Sequence, residues 1–106
     1  MKIDDLIEAY GAALREQAAS NAELAAAEDT AKIILAECLA NEQAPEWKAE
    51  AAARSSSAYK AAIVNVHQAR ERAEKARAEV EYLRARFEAW RSKSSMAKAM
   101  RQLEGR

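Results

Sequence analysis

Basic side chains crowd the C-terminal stretch of this 106-residue chain, where residues 84 to 106 carry seven bases against Glu88 and Glu104, a net of +5. Arg84, Arg86, Arg91, Lys93, Lys98 and Arg101 are the candidate contacts, and Phe87 and Trp90 are interleaved with them. Cations between aromatic rings can track a single-stranded nucleic acid, charge holding the phosphates while rings stack on bases. The competing assignment buries both rings in a helix seam, where large aromatic surfaces belong. A longer basic row has Arg70, Arg77, Arg84 and Arg91 at seven-residue intervals, extended by Lys98. Phosphate is again a candidate partner. Glu74, Glu81 and Glu88, however, precede three of these arginines by three residues, a spacing that pairs side chains on one helix surface. Pairing between helices, with Glu16, Glu23 and Glu37, is a further use for the row.

Other reactive side chains are sparse. His67 is the only histidine and has no Glu three residues earlier, so it does not begin a metal site. Cys38 sits on an apolar stripe beside Glu37, and an acidic neighbour disfavours a reactive thiolate. No Gly-rich phosphate loop or nucleophile elbow occurs, and in a helical hairpin the carboxylates have no concave pocket to converge in. The sequence therefore reads as a non-enzyme with no catalytic, metal-binding or cofactor-binding residue.

The elements that hold these side chains follow from periodicity. From Ala73 to Lys93 the segments AEKARAE, VEYLRAR and FEAWRSK repeat a heptad with apolar residues at the first and fourth places. A helix with that narrow seam buries it against another helix. Apolar residues Ile3, Leu6, Ile7, Tyr10, Ala13, Leu14, Leu24, Ala27, Ala31, Ile34, Leu35 and Cys38 give the N-terminal half a helical stripe wide enough for more than one neighbour. Gln17, Ser20 and Asn21 interrupt that stripe, and a buried polar layer of this kind can set alignment and oligomer state.

The segment Asn41 to Pro45 marks a boundary, since proline disfavours helix at the residue before it and suits the first turn of the next. The spacing predicts helix 1 over about 2–42 and helix 2 over about 45–92, with the Ser92 to Ser95 run separating a short helix at about 95–104. Ser55 to Ser57 is a second weak point, on helix 2. A short connection makes the two helices antiparallel and pairs residue i with roughly residue 88 minus i. The expectation is a single all-α domain over residues 1 to 106: a long antiparallel helical hairpin that associates into a bundle. Helix 2 turns Trp47, Ala51, Ala52, Tyr59, Ala62, Val66 and Ala69 inward, followed by the heptad positions.

Composition agrees with this class. There are 28 alanines against two glycines and one proline, which favours helix and disfavours sheet. Alanine buries little area, and at roughly 25 cal/mol per Å² a seam of methyl groups stabilises a monomer weakly. Self-association, favoured as a dimer, is the expected remedy. Its interface would draw on Phe87, Trp90, Val80, Leu83, Met96, Met100, Ile3, Leu6 and Tyr10, because side chains beyond about Phe87 lack a partner on helix 1. The zero net charge divides into −7 over residues 1 to 50 and +7 over residues 51 to 106, so the halves attract. No stretch is apolar enough to span a membrane, and Asp4 and Asp5 stand one residue after Met1 and Lys2, so a cytoplasmic protein with no membrane partner is expected.

Residues Tyr82, Leu83, Arg86, Phe87, Glu88, Trp90 and Arg91, with the Ala- and Arg-rich segment before them, resemble small helical proteins encoded in bacteriophage and prophage genomes. The resemblance covers about half the chain and implies a phage source and a host-cytoplasmic setting, with no functional residue carried over. The expected function is that of a self-associating helical adaptor or modulator of a protein partner. The alternative is a nucleic-acid accessory protein that uses its basic end.

Overall fold

The computed structural model describes residues 2–42 and 45–105. They form α1 (Ile3–Asn41), α2 (Glu46–Ser55) and α3 (Ser57–Glu104), with no strand among the described residues. The protein is all-α. Asp4 and Asp5 occupy the first turn of α1, where carboxylates offset the positive end of the helix dipole. Gln43 and Ala44, within the expected boundary, lie outside the described residues. Pro45 stands just before α2 in an extended conformation, and its carbonyl accepts from the amides of Lys48 and Ala49 at 2.8 and 2.9 Å.

The break on the C-terminal side falls at Ser56 and not at Ser92 to Ser95. Ser56 is extended (φ −63°, ψ 148°) and its hydroxyl replaces backbone bonds on both sides, donating to the Ala53 carbonyl at 2.7 Å and accepting from the Tyr59 amide at 3.2 Å. One serine thus stops α2 and caps α3. Its only hydroxyl proton goes to Ala53, which leaves the Cys38 thiol as the donor in the 3.5 Å contact with Ser56 Oγ. At residues 92 to 95 three serines sit among strong helix formers with no Pro or Gly, and each costs only about 0.5 kcal/mol relative to Ala. The helix runs straight through, so the expected separate helix at 95–104 is the end of α3.

Two compact units make up the chain. In the unit formed by Met1–Gln17 with Lys75–Arg106, Leu6, Ala13, Val80 and Leu83 are buried together, with Ile3, Ala9, Tyr10 and Phe87 packed around them. Arg84 Nε donates to the Tyr10 hydroxyl at 3.3 Å, so the two segments are about six residues out of the expected register, which placed Tyr10 opposite residue 78. In the unit Ala18–Glu74, Ala31, Ala62 and Val66 form the buried cluster, surrounded by Leu24, Ala27, Ile34 and Ile63. There Arg72 pairs with Glu23 at 3.2 Å and Cys38 meets Ser56, residue numbers that total 95 and 94. The physical reason for the shift is α2. The reversal spans the chain from Cys38 to Ser56, with α2 inside it, so its midpoint lies near residue 47 and not at the residues flanking Pro45.

Both long helices carry a seam. On α3 the residues Ala62, Val66, Ala69, Ala73, Ala76, Val80 and Leu83 are buried at alternating spacings of four and three, continued by half-buried Phe87. On α1 the covered positions Ile3, Leu6, Tyr10, Ala13, Gln17, Ser20, Leu24, Ala27, Ala31, Ile34 and Cys38 follow the same alternation, with Ala9, Gly11 and Leu35 half-buried beside it. The stripe narrows to a heptad seam where Ile7 and Leu14 stand exposed beside it, and it keeps Leu35 as a half-buried member off the seam. Ser20 is buried and Gln17 half-buried, but Asn21 faces solvent and does not belong to the polar layer. Among the described residues no buried side-chain nitrogen or oxygen lacks a partner. Trp47, Ala51 and Ala52, expected inside, are exposed, and α2 buries Ala49 and Ala53 instead.

Candidate interaction surface

α3 outlasts its own packing. Its last fully buried residue is Leu83, and every described residue from 88 to 105 is exposed, although the helix continues to Glu104. Beyond Trp90 the seam positions hold Ser94, Ala97, Arg101 and Glu104, so the apolar heptad ends there. A second stripe replaces it on another side of the helix: Met96, Met100 and Leu103, spaced by four and three, are 66%, 59% and 68% exposed. Unbranched Met side chains conform to varied partner surfaces.

At the base of this segment, Phe87 packs on the Leu6 and Leu83 cluster, and Trp90 stacks outside it with ring centroids 6.2 Å apart and planes 28° from parallel. Trp90 remains 42% exposed. Two clefts border the pair. One, of about 420 Å³, is lined by Ile7, Tyr10, Arg84, Phe87, Glu88 and Arg91; the other, of about 240 Å³, by Leu6, Arg86, Ala89, Trp90 and Lys93.

The interface candidates read from the sequence therefore separate. Leu6, Val80 and Leu83 are covered by the chain's own helices and are not available to a second molecule. Ile3, Tyr10 and Phe87 are half-buried around that core, whereas Trp90, Met96 and Met100 are open. Ile7 was expected in the internal stripe and stands exposed on a cleft rim, because Ile3, Leu6, Ala9, Tyr10 and Ala13 supply the packing from that end of α1. Its one-residue offset from Leu6 was the signal that the stripe reading absorbed.

The arginine row is answered differently from the expected spacing of three. Arg77 pairs forward with Glu81 at 3.2 Å, and Arg84 engages Tyr10. The hydrogen bond to Tyr10, with its electrostatic attraction, raises the Arg84 guanidinium above its ordinary pKa. Arg86 lies 5.8 Å from the Tyr82 ring centroid and donates to its hydroxyl at 3.5 Å. Arg101 Nε donates to the Ala97 carbonyl at 3.4 Å, and Arg91, Lys93 and Lys98 are exposed along the same segment.

His67 is exposed and Cys38 half-buried, and among the described residues no three His, Cys, Asp or Glu side chains converge as a metal site. No helix among them is long and apolar enough to cross a membrane. No protein-family model, curated protein or solved structure matches the chain.

Proposed function

We propose that the chain is a non-enzymatic interaction module that self-associates, and through its assembled form serves as an adaptor or modulator of a protein partner. The carrying observation is the stripe of Met96, Met100 and Leu103, large apolar side chains exposed on one side of the helix, with Trp90 partly open at the base of the same segment. Exposed apolar surface of this continuity, bordered by charge, is the chemistry of a protein contact. A phage source and a cytoplasmic setting belong to the same proposal and rest on the resemblance of the C-terminal half.

Sedimentation velocity across about 1 to 100 μM, a range in which contacts of roughly 5 to 8 kcal/mol become populated, tests it. The wild-type chain should pass from monomer to a larger species, and Trp90→Ala with Met96→Ser and Met100→Ser should hold it monomeric at unchanged helicity. A wild-type mass that stays at one chain throughout contradicts the proposal.

A second reading has its own observation: Trp90 is open to stacking beside Arg86 and Lys93, which line the same cleft. Nucleic acid would use that arrangement. If so, anisotropy of a labelled single-stranded oligonucleotide should report binding that falls steeply with salt and disappears when Arg91, Lys93, Lys98 and Arg101 are neutralised. Weak or absent binding at physiological salt is the outcome expected, because the row also carries apolar residues that a nucleic acid leaves uncovered.

A further inference from the structure

The exposed end of α3 combines an apolar stripe with a cationic body, and a partner must answer both. Lys93 borders the Met96, Met100 and Leu103 stripe, while Arg91, Lys98 and Arg101 occupy the remaining sides of the segment. Two copies of this segment laid against each other would bring a net of +5 up to another +5. Repulsion disfavours that pairing.

The complementary surface exists in the same sequence. Residues 23 to 50 carry seven acids and two bases, a net of −5. On the outward side of α1, Ile33 is 58% exposed with Asp29 and Glu37 one turn away on either side, and Ala26, Ala36 and Ala40 continue the face, all exposed. The positions 26, 29, 33, 36 and 40 alternate by three and four, the spacing that also separates Met96, Met100 and Leu103. Helix faces of matching period pack along their length, and long unbranched side chains over small ones allow close approach.

Resting on the self-association proposed above, we infer that the contact is heterologous: the Met96, Met100 and Leu103 face of α3 in one copy docks on the Ile33 face of α1 in a second copy, with Lys93 at the edge of that face drawn to the acids beside Ile33 and the cationic segment as a whole drawn to the acidic helix. The occupant of the exposed α3 end is a second copy of this chain.

The test is a charge exchange between two variants, each checked for wild-type helicity. One carries Lys93→Glu, Lys98→Glu and Arg101→Glu; the other carries Asp29→Lys and Glu37→Lys. Each alone should associate at least tenfold more weakly than wild type, a loss of about 1.4 kcal/mol that a few opposed charges supply. An equimolar mixture should regain wild-type association to within about threefold, because each variant then meets an opposite face. Wild-type association with no recovery in the mixture overturns the docking inference and leaves self-association standing; a monomeric wild type removes both. Assembly that dissolves on nuclease treatment would assign the segment to nucleic acid and also overturn the inference. Should either charge variant lose helicity, photocrosslinking from benzoylphenylalanine at position 100, in a mixture of isotopically light and heavy chains, replaces it. Light-to-heavy crosslinks to residues 26–40 are expected, and crosslinks elsewhere refute the contact.

Discussion

The two compact units are built on one heptad pattern and filled with different side chains. The unit of Met1–Gln17 with Lys75–Arg106 buries Leu6, Val80 and Leu83 and rings them with Ile3, Tyr10 and Phe87. Unit Ala18–Glu74 buries Ala31, Ala62 and Val66, with Ala69 and Ala73 as the next seam residues, and its larger side chains Leu24, Ile34 and Ile63 are only half-buried around them. A shared period therefore fixes which residues face inward, while side-chain size decides how much each contact contributes. Larger side chains remove more apolar surface from water, at roughly 25 cal/mol per Å². Alanine permits close helix approach with less burial. The units also differ in sign: the first has 11 bases and 8 acids and the second 6 bases and 9 acids, a net of +3 against −3.

The sharpest way to break this comparison is to remove a large seam residue. Leu83 is 3% exposed, so Leu83→Ala should lower unfolding free energy by about 3 kcal/mol in urea titration. A loss below about 1 kcal/mol would mean the first unit gains no more from its seam than the second. The opposite change sharpens the comparison next: Ala62→Leu puts three extra carbons into the alanine-lined seam and should cost about 1 to 3 kcal/mol by overpacking. A stabilised Ala62→Leu protein would show that the second unit has room its buried alanines do not suggest. Smaller still is Ser56→Ala, which removes the cap on α3 and should cost about 1 kcal/mol in the same titration. No change there would show that the helix start does not depend on the hydroxyl.

Legibility in the sequence followed the same division. The α3 seam from Ala62 to Phe87 could be read directly, because apolar residues hold every one of its positions and Glu and Arg mark the flanks. On α1 the identical period was masked, since Gln17 and Ser20 occupy seam positions while Ile7 and Leu14 lie off the seam. Hydrophobicity alone could not separate a narrow seam with polar members from a broad stripe. Serine runs were equally ambiguous: residues 55 to 57 and 92 to 95 look alike locally, and only the first lies at a reversal, where Ser56 meets Cys38. The register followed from that reversal and was therefore set by tertiary structure. At the candidate surface, the end of α3 was foreseen as lacking a partner on helix 1 beyond about Phe87, and Phe87 is the last side chain packed against the internal core.

α3 is covered by its own chain as far as Phe87, and the proposed self-association covers it with another molecule beyond Trp90. Amide hydrogen exchange, followed by mass spectrometry at chain concentrations from about 1 to 100 μM, reads both parts at once. Amides of residues 62–83 should exchange slowly and change little with concentration, while those of 92–104 should exchange fast when dilute and become protected as concentration rises. Protection of 92–104 that is already present at the lowest concentration, or absent at the highest, would contradict self-association through this segment.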